Sequence, residues 1–535
     1  MRLSFVCPGT FCAAPATIRC SAVFVAILSS NAAAQDPGLR SDASQPASWQ
    51  LAGANLTNTR HQGNETIINV SNVKNLKVKW TFVTGGDVSA TPTVSGNAVY
   101  VPDWAGNLFA IKKDTGAKLW QHQISEYDGA SGSVSRVSPL VLENELVIGD
   151  MMKGIHAGAN VIAVDPVSGV LRWITKVDDH PAAIITGSPV AYNGIIYVGV
   201  SSTEEGFANQ VGYDCCTFRG SVVALNADTG QMIWKTYTVP DNDGASNAYS
   251  GGAIWQPPAI DSARHLLYVG TGNNYNVPQS VADCEELAIA DHNTSIDACT
   301  PQTDHFDSAL ALDLVSGKVK WYTKLKAYDA WTVACFAPRA GVVCPSPTGP
   351  DYDFGGSGPN LLWNLVGFGQ KSGMYWALNP NTGAIIWSTL VGPGGSLGGI
   401  QWGTAADPSR IYVPIGNNHK TSYTLAPNGP TITWGSWAAL SALSGKILWQ
   451  TADPTQGATD PGAASIANGV LYAGSTSGFM YALDSTSGKI LWSFASGGSV
   501  MGGPAIVNGV VYWGSGYKKQ PPGTGNNKLY AFYLQ

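Results

Sequence analysis

The sequence predicts an all-β chain closed into an eight-bladed β-propeller with tryptophan-docking repeats. Three observations point there. One frame occurs seven times: Ala, then Ser or Thr five residues on, Gly at six and Trp at ten, at 110–120, 163–173, 224–234, 311–321, 377–387, 439–449 and 482–492. Each copy starts in an apolar strand, turns on D/P/N-x-[ST]-G and returns as a strand ending in Trp, the mark of a stacked array of sheets. Finally, LYAFYL at 529–534 matches the first strand of a frame whose Trp is Trp80. Joining the two ends in one blade gives eight blades and leaves no open sheet edge; seven blades is the alternative.

The elements follow in chain order. Residues 1–34 read as a bacterial secretory signal. Arg2 and Arg19 precede the apolar run 22–28, and Ala32-Ala33-Ala34 offers a small-residue cleavage site before Gln35. That run is shorter than the roughly 20 residues a membrane span requires, so a periplasmic protein with no membrane span is expected. Residues 35–535 read as one propeller domain. Successive frame tryptophans lie 40 residues apart at Trp80 and Trp120 but 87 apart at Trp234 and Trp321. About 40 residues suffice for a bare blade, so the middle blades carry insertions.

Composition narrows the partners. Charged residues make up 12% and the net charge is −6, which argues against nucleic acid. Cys7, Cys12 and Cys20 fall in the signal, leaving six cysteines, an even number that favours disulfides in an exported chain. Proximity pairs Cys284 with Cys299 and Cys335 with Cys344. Cys215 and Cys216 are adjacent, so a bond between them would close a strained ring; two reduced core cysteines are the alternative.

The repeat alone does not define chemistry, because scaffolds share it. The segment 251–274 adds information: GGAIWQPPAIDSARHLLYVGTGNN. Gly251-Gly252 precede Trp255, Asp261 follows the Trp by six residues, and Gly270-Thr271-Gly272-Asn273 follows an apolar strand. This resembles the signature of quinoprotein alcohol dehydrogenases, which bind pyrroloquinoline quinone (PQQ) and calcium, although Ile260 and His265 depart from it. Trp49-x-x-x-Gly53 and Asn72-Val73-x-x-Leu76-x-x-x-Trp80 resemble the family's N-terminal signature, and matches run over most of 48–535.

The resemblance implies roles residue by residue. Trp255 would be the floor for the planar quinone, whose ring an indole face suits. Asn273 and Glu205 would bind calcium, which takes hard oxygen ligands. Spacing to Arg219 would instead select Cys215, a poor calcium ligand, so an insertion is placed after Glu205. The family's general base is an Asp in a Trp-Asp-[FY] context. Thr332 follows Trp331 here, so Asp353 in DYDFG is assigned as base and metal neighbour, with Asp329 as fallback. Lanthanide-using members carry an Asp at the position of Gly355, so calcium is favoured. Thr186, Ser202 and Arg136 would bind PQQ carboxylates, Lys371 would donate to the quinone oxygens, and Asn418 and Trp513 would lie near the ring. Ser89 replaces a family Glu. Cys215 and Cys216 sit later in the chain than the family's cofactor-capping pair, so that role stays open.

Among relatives, TFRGSVVAL, GGAIWQPPAI and YDFGGSGPN look most like polyvinyl alcohol dehydrogenases. That implies oxidation of secondary hydroxyls of a polymeric alcohol. With no Cys-x-x-Cys-His for haem, the electrons would leave to a separate cytochrome c. A dehydrogenase for small alcohols and a non-catalytic periplasmic scaffold are the other readings.

Overall fold

The computed structural model describes residues 48–151, 158–291, 299–325, 328–336, 340–354, 357–519 and 522–535. The expected signal segment 1–34 and Gly355 lie outside the described residues. Eight sheets, each built on four antiparallel strands, form the propeller, and two of them carry a further short strand. Leu76–Val83 pairs with Lys528–Leu534, Trp80 opposite Ala531. The chain ends therefore share the eighth blade, and the seven-bladed alternative falls.

The repeated frame has a packing cause. Its Ala stands directly across from its Trp on the two outer strands, as Ala110 does from Trp120 and Ala311 from Trp321. The indole then reaches the following blade's turn: Trp120 Nε1 donates to Pro166 O at 3.0 Å, Trp321 Nε1 to Pro380 O at 2.9 Å and Trp449 Nε1 to Ser485 O at 3.0 Å. The glycine of that turn lets the ring approach. Gly383 has φ 71°, and a Cβ there would lie 2.5 Å from the Trp321 ring. Ala, Gly and Trp recur together because each blade docks its Trp on its neighbour's glycine. Between neighbouring sheets lies the core; Tyr412 and Trp437 of one blade, for example, pack with Leu471 and Tyr481 of the next.

Strand direction sorts the loops. Turns between third and fourth strands, which hold the frame, lie at one end of the sheets. Connections leaving the second strands, and those entering the first strands, lie at the other end. The long insertions at 203–220, 271–307 and 325–359 are all of these latter kinds. The disulfides Cys284–Cys299 and Cys335–Cys344 staple two of them, and Cys215–Cys216, joined through a cis peptide, lies in the third.

Candidate active site

A cavity of about 320 Å³ opens at the insertion-bearing end. Its wall includes eight residues singled out in the sequence: Arg136, Thr186, Ser202, Glu205, Trp255, Asn273, Asp353 and Lys371. They come from four consecutive stretches of loop or strand end, at 136, 186–205, 255–273 and 353–371, brought together because each blade delivers its inner loops to the same mouth.

Adjacent glutamates take opposite parts. After Ile195–Ser202, the short helix Glu204–Phe207 turns Glu204 inward and Glu205 toward the cavity. Glu204 is wholly buried and saturated: Oε1 accepts from Thr217 N at 2.9 Å and Tyr213 OH at 3.0 Å, and Oε2 accepts from Phe218 N at 2.8 Å. It pins the loop that carries the adjacent cysteines. The Glu205 carboxyl lines the cavity and is influenced by burial and by the charges of Lys371 and Asp353, with no hydrogen bond among the described residues. Burial raises its pKa to about 7, with Asp353 adding to the rise and Lys371 opposing it.

Asn273 follows Leu266–Gly270. Its Nδ2 donates to Asn274 O at 2.7 Å and Trp331 O at 2.8 Å, which fixes the amide and leaves Oδ1 buried without a partner. Asp353 accepts from Asn273 N at 2.6 Å through Oδ1 and from Lys371 Nζ at 2.8 Å through Oδ2. Lys371 Nζ is also 2.8 Å from Asp351 Oδ1 and 5.6 Å from the Trp255 ring centroid. Burial works against the Lys371 ammonium, but Asp351, Asp353 and Glu205 hold its pKa well above that of a free lysine. Trp255 is set edge-on to Trp402, with ring centroids 5.1 Å apart. Arg136 stacks on Trp402 at 4.0 Å and has no carboxylate partner among the described residues.

These residues fit a planar, carboxylate-bearing ring and a hard cation. Glu205, Asp351 and Asp353 gather around one ammonium, three carboxyl groups to a single cation. Asn273 Oδ1 and the Glu205 carboxylate are oxygen donors without partners, the type a calcium ion takes. Thr186 Oγ1, Ser396 Oγ and Trp402 Nε1 are likewise buried, unpaired and on the cavity wall. Buried polar groups are almost always paired, so such a concentration marks a binding surface.

Other expected residues stand elsewhere. Trp513 is wholly buried, packs on Tyr472, donates Nε1 to Gly502 O at 2.7 Å and does not line the cavity. Asn418 lies behind the loop at Gly395 and Gly398, its Oδ1 unpaired. Cys215 and Cys216 are buried in an apolar cluster with Phe218 and Tyr275 and do not line the cavity. Asp329, the fallback base, is also off the wall; its oxygens accept from Asp351 N at 3.0 Å and from Tyr352 N. Ser89 accepts from Trp104 Nε1 at 2.8 Å. Sequence reading missed Asp351 and Trp402, the partners of Lys371 and Trp255. Asp351 was visible in DYDFG, two residues before Asp353, but nothing local tied it to Lys371.

Comparison with known proteins follows the same architecture. A family model described as outer membrane protein assembly factor BamB matches residues 62–212 and 435–532, which include Arg136, Thr186, Ser202 and Glu205 but not Trp255, Asn273, Asp353 or Lys371. The polyvinylalcohol dehydrogenase of Sphingopyxis sp. (strain 113P3) is 32% identical, covering 90% of this chain and 74% of its own length. That of a Pseudomonas sp. is 31% identical over 89% and 74%. The structure of quinohemoprotein alcohol dehydrogenase from Comamonas testosteroni shares the fold, with a TM-score of 0.66, 18% identity and coverage of 92% of this chain and 82% of that one. The relatives at this identity and coverage place the chain in the quinoprotein alcohol dehydrogenase family, with the polyvinyl alcohol dehydrogenases.

Proposed function

We propose that the protein oxidises secondary hydroxyls, those of polyvinyl alcohol first, to ketones, using PQQ and calcium, and passes the electrons to a separate cytochrome c. The observation that supports this best is the orphaned Asn273 Oδ1 in a residue that shares one cavity wall with Glu205, Asp353, Lys371 and the Trp255 indole. Glu205, Asn273 and Asp353 would hold the calcium. Trp255 would carry the ring, with Arg136, Thr186 and Ser202 meeting its carboxylates. When bound, PQQ accepts two electrons and calcium acts as a Lewis acid.

The chain's own part is binding, orientation and proton transfer. Asp353, oriented by the Asn273 N–H and Lys371, takes the hydroxyl proton as general base. The carbinol hydrogen leaves as hydride and the substrate becomes a ketone. As Asp353 is neutralised, Asp351 stays in contact with Lys371, so the ammonium keeps an oxygen acceptor and its place. Lys371 meets its partners as a point charge with three donors, which lets it serve both carboxylates and still approach the ring face.

A mature chain of 35–535, exported to the periplasm after loss of 1–34, goes with this reading. No helix among the described residues is long and apolar enough to cross a membrane. Adding PQQ and calcium to the apoprotein should produce dye-linked oxidation, faster with polyvinyl alcohol and secondary alcohols than with methanol. A methanol preference would favour the small-alcohol reading. No activity with any alcohol would leave the scaffold reading, for which the match of 62–212 and 435–532 to an assembly-factor model speaks.

A further inference from the structure

Behind the cavity wall, Asp329 joins the two stretches that deliver the site's central residues. Its backbone carbonyl accepts from Asn274 N at 3.2 Å, and Trp331 N returns a bond to Asn274 O at 2.9 Å. This ties the 328–331 segment to the strand end carrying Asn273. The side chain points the other way, with Oδ1 accepting from Asp351 N at 3.0 Å and Oδ2 from Tyr352 N. Asp329 is wholly buried, and Gly349 leaves it room, since a Cβ there would overlap Oδ1. Asp351, whose amide it holds, has φ 61°. That left-handed conformation is tolerated by Asp but is populated only when the surroundings impose it. From there Asp351 Oδ1 and Asp353 Oδ2 converge on Lys371 Nζ, each at 2.8 Å.

We propose that Asp329 is a positioning residue for the oxidation: by receiving the Asp351 and Tyr352 amides, it fixes the turn that sets Asp353 and Asp351 on either side of Lys371. It touches neither substrate nor cofactor. The inference rests on Asp353 being the base and Lys371 its partner. What it adds is the reason these two keep their geometry in a loop bounded by insertions. An isosteric amide cannot do the same work. The Asn oxygen would accept one of the two backbone N–H groups, and its NH2 would face the other.

The test uses the full mature chain and reads two things. Asp329→Asn should speed hydrogen exchange at the amides of 351 and 352 by about tenfold or more in the apoprotein, leaving 272–276 as in wild type. It should also lower kcat by ~10²-fold with KM within about threefold, the signature of a displaced reacting group. Asp329→Ala, which removes both side-chain acceptors, should reproduce both effects and serves if Asp329→Asn does not fold. Unchanged exchange at 351 and 352 in the folded variants would overturn the proposal, as would faster exchange with kcat unchanged. If wild type shows no PQQ-dependent turnover, the functional reading fails instead, and the exchange experiment still reports whether Asp329 holds the turn.

Discussion

The two ends of the propeller follow different rules. At the frame end, each turn repeats its neighbour: an indole N–H finds a carbonyl, and a glycine makes room for the ring. At the other end, loops of unequal length bring together Glu205, Asp351 and Asp353 around one lysine and leave Asn273 Oδ1, Thr186 Oγ1 and Ser396 Oγ unpaired. A satisfied end needs nothing more to be stable. An unsatisfied end is stable because the rest of the wheel holds it, and its open valences are what a ligand completes. The same contrast appears within one dipeptide, where Glu204 is saturated by the protein and Glu205 is not.

If that division holds, substitutions at the two ends should separate activity from stability. The largest effect belongs to the unsatisfied end: Asp353→Asn should lower kcat by ~10³-fold, near the range for loss of a general base, while the melting temperature of the apoprotein moves by only a few degrees. The converse comes from the frame end. Gly383→Ala places a Cβ on the Trp321 ring at φ 71° and should cost about 2–4 kcal/mol by chemical denaturation, with kcat of the folded fraction unchanged. Loss of activity per folded molecule in Gly383→Ala would mean the ends are not independent.

Titration sharpens the comparison further. The Glu205 carboxyl is raised to about 7 by burial and Asp353, against Lys371. The folded apoprotein therefore holds a proton there that the unfolded chain gives up at lower pH. Stability from that proton is fully present below the unfolded pKa and is lost as pH rises through about 7. Calcium must displace the same proton. Its affinity should fall about tenfold per pH unit below 7 and level off above it, as fluorescence titration of the apoprotein would show. Glu205→Gln should abolish this pH dependence. The smallest effect is expected from Trp173→Phe, which removes one donor to Ala227 O and should cost about 1 kcal/mol with no change in kcat or in calcium affinity.

How much of this the sequence disclosed follows from how local each cause is. The frame is written within eleven residues, and its partner is the same frame one blade on, so the architecture and the closing of the ends at Trp80 and Ala531 could be read directly. Asn273 and Trp255 were legible because they share one short segment with its glycines. Glu205 was separable from Glu204 by spacing alone, and geometry gives the cause: the first is claimed by the amides of Thr217 and Phe218. Asp351 and Trp402 were not legible, because what gives them meaning is a contact with a distant residue, Lys371 or Trp255. Trp513 is the reverse case. Resemblance placed it near the ring, but its N–H is taken by Gly502 O within the core. The scaffold is encoded by repetition, and the site by departures whose partners only the closed wheel brings together.

The most direct measurement is a crystal structure of the protein reconstituted with PQQ and calcium. The account predicts a ring lying on Trp255 and a cation contacting Glu205, the Asn273 side-chain oxygen and Asp353, with Lys371 beside both. A ring bound away from Trp255, or a cation that leaves Asn273 Oδ1 unpaired, would contradict it.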